Sequence, residues 1–168
     1  MADYTVLTNP QQQLIDLINQ DNGSTLTLAD VTLSDPSVVD YAGRNTKVTV
    51  TGNVDSPYEN TKDVFYNRLA LTRLGFIGII TDTPLTNEQF LDTISSNKQV
   101  KLLEGEFEPF TIPVLEVGAI GSVTLIAKPT AIKWLGQVDA EYVFGVPAGF
   151  DALHTLINVT LPADGYLT

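Results

Sequence analysis

The sequence predicts an α+β, β-rich fold built from two tandem copies of a small unit, each one helix followed by antiparallel strands. Three observations carry this expectation. Residues 14–18 and 90–94 place apolar side chains at helical spacing. Runs such as Lys47-Val48-Thr49-Val50-Thr51 alternate apolar and polar residues, as a half-buried strand does. Residues of the first half also recur in the second. Gln13-Leu14-Ile15-Asp16 with Ile18 matches Gln89-Phe90-Leu91-Asp92 with Ile94. Tyr58, Asp63 and Tyr66 match Trp134, Asp139 and Tyr142 at the same displacement, about 76 residues along.

Each element follows from local chemistry. Asn9-Pro10 opens the first helix, with Asn as the cap and Pro at the first helical position, and Asp21-Asn22-Gly23 stops it. Leu26, Leu28, Val31 and Leu33 form a short alternating segment interrupted by Asp35-Pro36. Residues 41–45 read as a loop, 47–51 as a strand and 52–60 as a turn region. Val64 to Leu74 and Phe76 to Ile80 read as one or two further strands. The pattern then restarts at Thr86-Asn87-Glu88-Gln89, a capping box in which the Thr hydroxyl and the Gln side chain satisfy each other's backbone groups. Ser95-Ser96-Asn97 is expected to end this helix. Gln99 to Phe110 reads as extended, Gly118 to Gly121 as a loop, Ser122 to Ala127 as a strand, Lys128-Pro129-Thr130 as a turn and Leu135 to Phe144 as the closing strand. The expected organisation is residues 1–83 and 84–146 as the two units. Residues 147–168 are a tail docking on the body or on a neighbouring subunit.

Composition narrows the function. Nine Lys and Arg against 20 Asp and Glu give a net charge of −11, which repels phosphate backbones and argues against nucleic-acid partners. The absence of cysteine excludes thiol catalysis, disulfides and thiolate metal sites. Leu74 to Ile80 is far shorter than the roughly 20 apolar residues of a membrane span, and the start of the chain has no basic-then-apolar signal pattern. A soluble, cytoplasm-made protein is expected, with no membrane partner.

No catalytic, cofactor-binding or metal-binding residue is singled out. Glu104, Glu106 and Glu108 alternate, so on a strand they would share one face and could offer oxygens to a hard cation. No calcium-loop pattern accompanies them, and a solvated strand face is the expected reading. His154 is the lone histidine; with Asp151 it could sit in a hydrolase only if a nucleophile were also present, and no Gly-x-Ser-x-Gly pattern occurs. The glycine pairs at Gly75/Gly78 and Gly118/Gly121 lack the Lys-Ser or Lys-Thr of a phosphate loop. No enzyme, no cofactor and no small-molecule substrate is the expectation.

The unit resembles a module of virion structural proteins of tailed bacteriophages. The residues that carry the likeness are Leu14 to Asn19, Arg44 to Val50, Asp63 to Leu69, and Val123 to Trp134. The resemblance implies a non-enzymatic virion building block, such as an accessory head or capsid-decoration, neck, tail or baseplate protein. Its partners would be other virion proteins and copies of itself. The apolar ends supply the expected partner contacts, Tyr4, Leu7, Leu156, Ile157 and Tyr166, while Tyr58, Asp63, Tyr66, Trp134, Asp139 and Tyr142 are expected as recurring scaffold positions. The alternative is a surface-binding β module recognising host carbohydrate or protein, which would expose Trp134 beside Asp139 or Tyr58 beside Asp63.

Overall fold

A computed structural model describes residues 9–145. Tyr4, Leu7, His154, Leu156, Ile157 and Tyr166 therefore lie outside the described residues. Helix α1 (Pro10–Asn22) begins as its sequence dictates. The Asn9 carboxamide accepts from the backbone of Gln11 at 2.9 Å, and Gly23 closes the helix in the left-handed region at φ 62°. Leu14 and Ile15 are its buried face. The Asn19 side chain then accepts from the Leu26 N–H and donates to the Leu26 carbonyl, both at 2.8 Å, which turns the chain back against the helix.

Strands β1 (Val31–Leu33), β2 (Ser37–Tyr41), β3 (Arg44–Gly52) and β4 (Thr61–Tyr66) form an antiparallel sheet. The long strand β3 is central, with β4 on one edge and β2 and β1 sharing the other. The β2–β3 hairpin turns at Ala42 and Gly43, both at positive φ. Ile15, Val31 and Val50 form a small buried core, with Ile18, Leu26, Leu28, Leu33 and Val64 only partly covered.

The expected strand from Val64 to Leu74 is broken up. A two-residue strand β5 (Leu69–Ala70) leads into a 3-10 turn (Leu71–Leu74), and strand β6 (Ile77–Thr81) follows. Helix α2 (Asn87–Lys98) has the capping box complete and runs one residue past the expected stop, to a left-handed Gln99 at φ 54°. Strands β7 (Ile120–Ile126) and β9 (Gln137–Phe144) make the expected hairpin, antiparallel, with Val123 opposite Ala140. Strand β8 (Trp134–Leu135) pairs in parallel with β5, and β6 pairs in parallel with β9. The second core is larger: Phe90, Leu91, Ile94, Leu102, Phe107, Trp134 and Tyr142 close over Leu71, Leu74, Ile77 and Ile79. Residues 69–81, grouped by the repeat with the first unit, thus pack in the second half.

The segment from Gln99 to Phe110 departs from expectation. It contains a 3-10 turn at Glu104–Glu106, not a strand, so the three glutamates do not share a face. Glu104 is exposed whereas Glu106 is buried. The reason is tertiary: the Glu106 carboxylate is drawn inward to accept from the backbone of Lys133 at 3.0 Å.

The two halves also bond alike outside their strands. Ser95 Oγ accepts from the Leu102 N–H at 3.0 Å, as Asn19 does from Leu26. Asn53 donates to the Asp30 carbonyl and Lys128 to the Glu106 carbonyl, each at 2.8 Å. Gly52 donates to Asn60, and Ala127 to Gly136, with both acceptor residues at positive φ. Val31 pairs with Gly52, and Phe107 bridges Ala127.

Candidate functional site

A buried polar cluster joins the two halves. Arg68 follows β4 and is 4% exposed. Its Nε donates to Thr46 Oγ1 at 3.1 Å, and its Nη1 donates to the carbonyls of Pro129 at 3.0 Å and Ala131 at 2.9 Å. The backbone around it is clamped as well. The Arg68 N–H donates to Asn45 Oδ1 at 2.8 Å, and the Asn45 amide returns a bond to the Arg68 carbonyl at 2.9 Å. A planar guanidinium suits this task because its donors diverge to several acceptors at once. Tyr66, two residues earlier, donates its hydroxyl to the Ile132 carbonyl at 2.9 Å. Burial pushes the Tyr66 phenol up to about 12, against the offsetting charge of Arg68. One element of the second half, the turn at residues 129–132, therefore receives two side chains from the end of β4.

Glu106 lies against the same turn. Burial raises its pKa above the ordinary glutamate value, while the Lys133 N–H and the Lys133 charge act the other way. The Lys133 ammonium lies 5.1 Å from the centre of the Trp134 ring, a cation–π distance, and burial lowers its pKa. Glu106 Oε2 and Trp134 Nε1 are buried without a hydrogen-bond partner among the described residues.

The scaffold positions named from sequence fall in two groups. Asp63 accepts from Thr49 Oγ1 at 2.7 Å across β3 and β4, and Asp139 accepts from Thr124 Oγ1 at 2.6 Å across β7 and β9. The Thr49 hydroxyl, with Lys47, holds the Asp63 pKa below its ordinary value. Tyr142 is buried edge-on to Phe90, at 6.2 Å between ring centres. Trp134 and Tyr58 differ: Trp134 is 1% exposed, whereas Tyr58 is half-buried, its hydroxyl 3.3 Å from Thr25 Oγ1. The exposed Trp134 that carbohydrate stacking would need is not present, because the ring is buried in the larger core.

Arg68 and Thr46 were not singled out by sequence. A lone arginine inside the apolar run Phe65 to Leu71 is the signal that could have found the first. The burial of Glu106 had no local signal.

Arg68 and Tyr66 tie the end of β4 to the 129–132 turn, which defines a β-rich α+β scaffold with a buried polar clamp. The chain belongs to a family of unknown function, DUF7941, whose model matches residues 4–163. No curated protein and no solved structure matches the chain. No helix among the described residues is long and apolar enough to cross a membrane.

Proposed function

We propose that this protein is a non-enzymatic structural component of a tailed-phage virion, built from two tandem copies of one helix-plus-strands unit and acting through protein–protein contacts. The observation that carries the tandem reading is the recurrence of the Thr–Asp bond. Thr49–Asp63 and Thr124–Asp139 occupy directly opposed pairs in the two hairpins. The matching bonds of Asn19 and Ser95 after the helices support it independently.

The virion reading rests on the module's resemblance and on where the buried polar groups are used. Arg68, Tyr66 and Glu106 bond to backbone of the opposite half or of a neighbouring turn, as suits a part whose task is to keep its shape in an assembly. The carbohydrate-binding alternative loses its best aromatic to the core, since Trp134 has no exposed face. Mass spectrometry of purified particles tests the proposal: peptides of this chain are expected at a stoichiometry fixed from batch to batch. Particles free of the chain, together with a protein that stays monomeric at all concentrations, would sink it.

A further inference from the structure

In the second half, the outer edge of β9 is covered by β6, running parallel with Ile77 opposite Ala140 and Ile79 opposite Tyr142. Leu71 and Leu74 of the preceding turn pack beside them, and Ile94, Leu102 and Ala140 are sealed beneath. Lys98 at the end of α2 donates to the Phe76 carbonyl of the same segment. The first half has the same slot without its cover. Among the described residues no strand pairs with the outer edge of β4. Ile18, Leu26 and Val64, at the places of Ile94, Leu102 and Ala140, are only half-buried. With Asn22 and Tyr58 they line an open groove of about 380 Å³ beside β4.

The chain carries a second segment with the pattern that fills this slot. Leu71-x-x-Leu74-x-x-Ile77-x-Ile79 is reproduced as Leu153-x-x-Leu156-x-x-Val159-x-Leu161. The match continues through Asp164, Leu167 and Thr168, at the places of Asp82, Leu85 and Thr86. Pro162 stands at Ile80. In β6 the Thr81 carbonyl accepts from Gly145, so by strand alternation the backbone groups of Ile80 face away from β9, where a proline costs no ladder bond. The match departs at Ile157, which stands where Gly75 has φ 64°. Residues 1–8, MADYTVLT, contain no such pattern.

The junction sets the direction in which one half follows the other. The end of β4 meets the 129–132 turn of the second half through Tyr66 and Arg68. No hydrogen bond among the described residues returns that relation from Tyr142 or Phe144 to the corresponding turn of the first half, where Val54 is 92% exposed. The contact between the halves runs one way, and a one-way contact, if repeated, leads onward to a further copy.

We infer that residues 153–161 of one copy add as a parallel strand to β4 of the next, with Val159 opposite Val64 and Leu161 opposite Tyr66, linking chains head to tail. Backbone bonding along β4 supplies affinity, and the four apolar side chains entering the groove supply register. The inference rests on the tandem-unit reading and is independent of the virion reading.

The absence of cysteine makes a direct test available. Two full-length single variants, Phe65→Cys and Thr160→Cys, place thiols on neighbouring positions of the expected register, as Glu141 and Gly78 are in the second half. Mixed and treated with a short bis-maleimide, they are expected to give a covalent dimer containing one of each chain. Adding Leu156→Asp to the Thr160→Cys chain is expected to cut the yield at least tenfold. Circular dichroism is the check that each variant is folded. A mixture of folded variants that gives no such dimer overturns the inference. So does a Phe65→Cys/Thr160→Cys double variant that closes within one chain. Linkage of Phe65→Cys to Tyr4→Cys would put residues 1–8 on this edge, overturning the exchange while leaving the tandem units intact. Linkage to Asn158→Cys in preference to Thr160→Cys would overturn the register and the tandem reading with it.

Discussion

Arg68 donates to the carbonyl of Ala131 at 2.9 Å, bridging 63 residues of chain from a position that is 4% exposed. This bond and its neighbour to Pro129 tie the first half to the second, while the bond to Thr46 anchors the guanidinium within the first. Replacing Arg68 by Met removes the donor from the buried Ala131 carbonyl, the part-buried Pro129 carbonyl and the Thr46 hydroxyl, and a buried acceptor left so costs about 1–3 kcal/mol. A loss on the order of 3 kcal/mol is expected from urea unfolding. Arg68→Lys is expected to recover little, because one ammonium on a flexible stem cannot replace the fork.

Asn19 and Ser95 hold the chain after each helix by accepting from the backbone of Leu26 and Leu102. Asn19→Ala and Ser95→Ala each strand a backbone N–H that is at least partly buried. Each is expected to destabilise by about 1–3 kcal/mol in thermal or chemical denaturation. Loss from one variant and none from the other would count against equivalent roles in the two halves.

Trp134 is the single tryptophan and sits in the larger core. Its emission is expected to be blue-shifted in the native protein, to move red only on unfolding, and to ignore added oligosaccharides. Trp134→Ala is expected to cost about 3–5 kcal/mol, the usual loss for a buried large aromatic. Tyr58→Ala, at the half-buried counterpart, is expected to cost clearly less in the same denaturation series.

Glu106 gives the protein a pH signature. Burial raises its folded pKa above the unfolded one, so between the two values the native state holds the extra proton. Stability from this group is therefore greatest below the ordinary glutamate value and declines as pH rises through the raised one. Asp63 works in the opposite sense. The Thr49 hydroxyl and Lys47 lower its pKa, so its contribution is present above the unfolded value and lost as pH falls through the folded one. The difference curve of Glu106→Gln against the parent isolates Glu106. The variant is expected to gain relative stability as pH climbs through that window and to level off above it.

The helix ends were legible in the sequence because their chemistry is local. Asn9 and Thr86 reach backbone donors within three residues, and the partners are present in the same short stretch. The hairpins were legible for a similar reason: alternation and the turn between the strands specify an antiparallel pair. The recurrence of Thr49 with Asp63 and Thr124 with Asp139 could be read as residue spacing, though not as bonds.

What sequence alone missed is non-local. Glu104, Glu106 and Glu108 alternate like a strand, yet the acceptor that the Lys133 N–H requires turned one of them inward. Nothing local says whether Trp134 faces solvent; it is buried in the core that α2, β6, β7 and β9 assemble. Periodicity does not say which sheet β6 joins, because a parallel pair needs a long crossover and either sheet offers an edge. By itself, then, the sequence determined the two helices, the two hairpins and the resemblance between the halves. Only the tertiary structure decided that residues 69–81 leave the first half to complete the second core, that Arg68 locks the junction, and that no strand among the described residues covers the outer edge of β4. Those outcomes depend on apolar surface and hydrogen-bond acceptors brought together from distant parts of the chain, and no local window of sequence contains both partners.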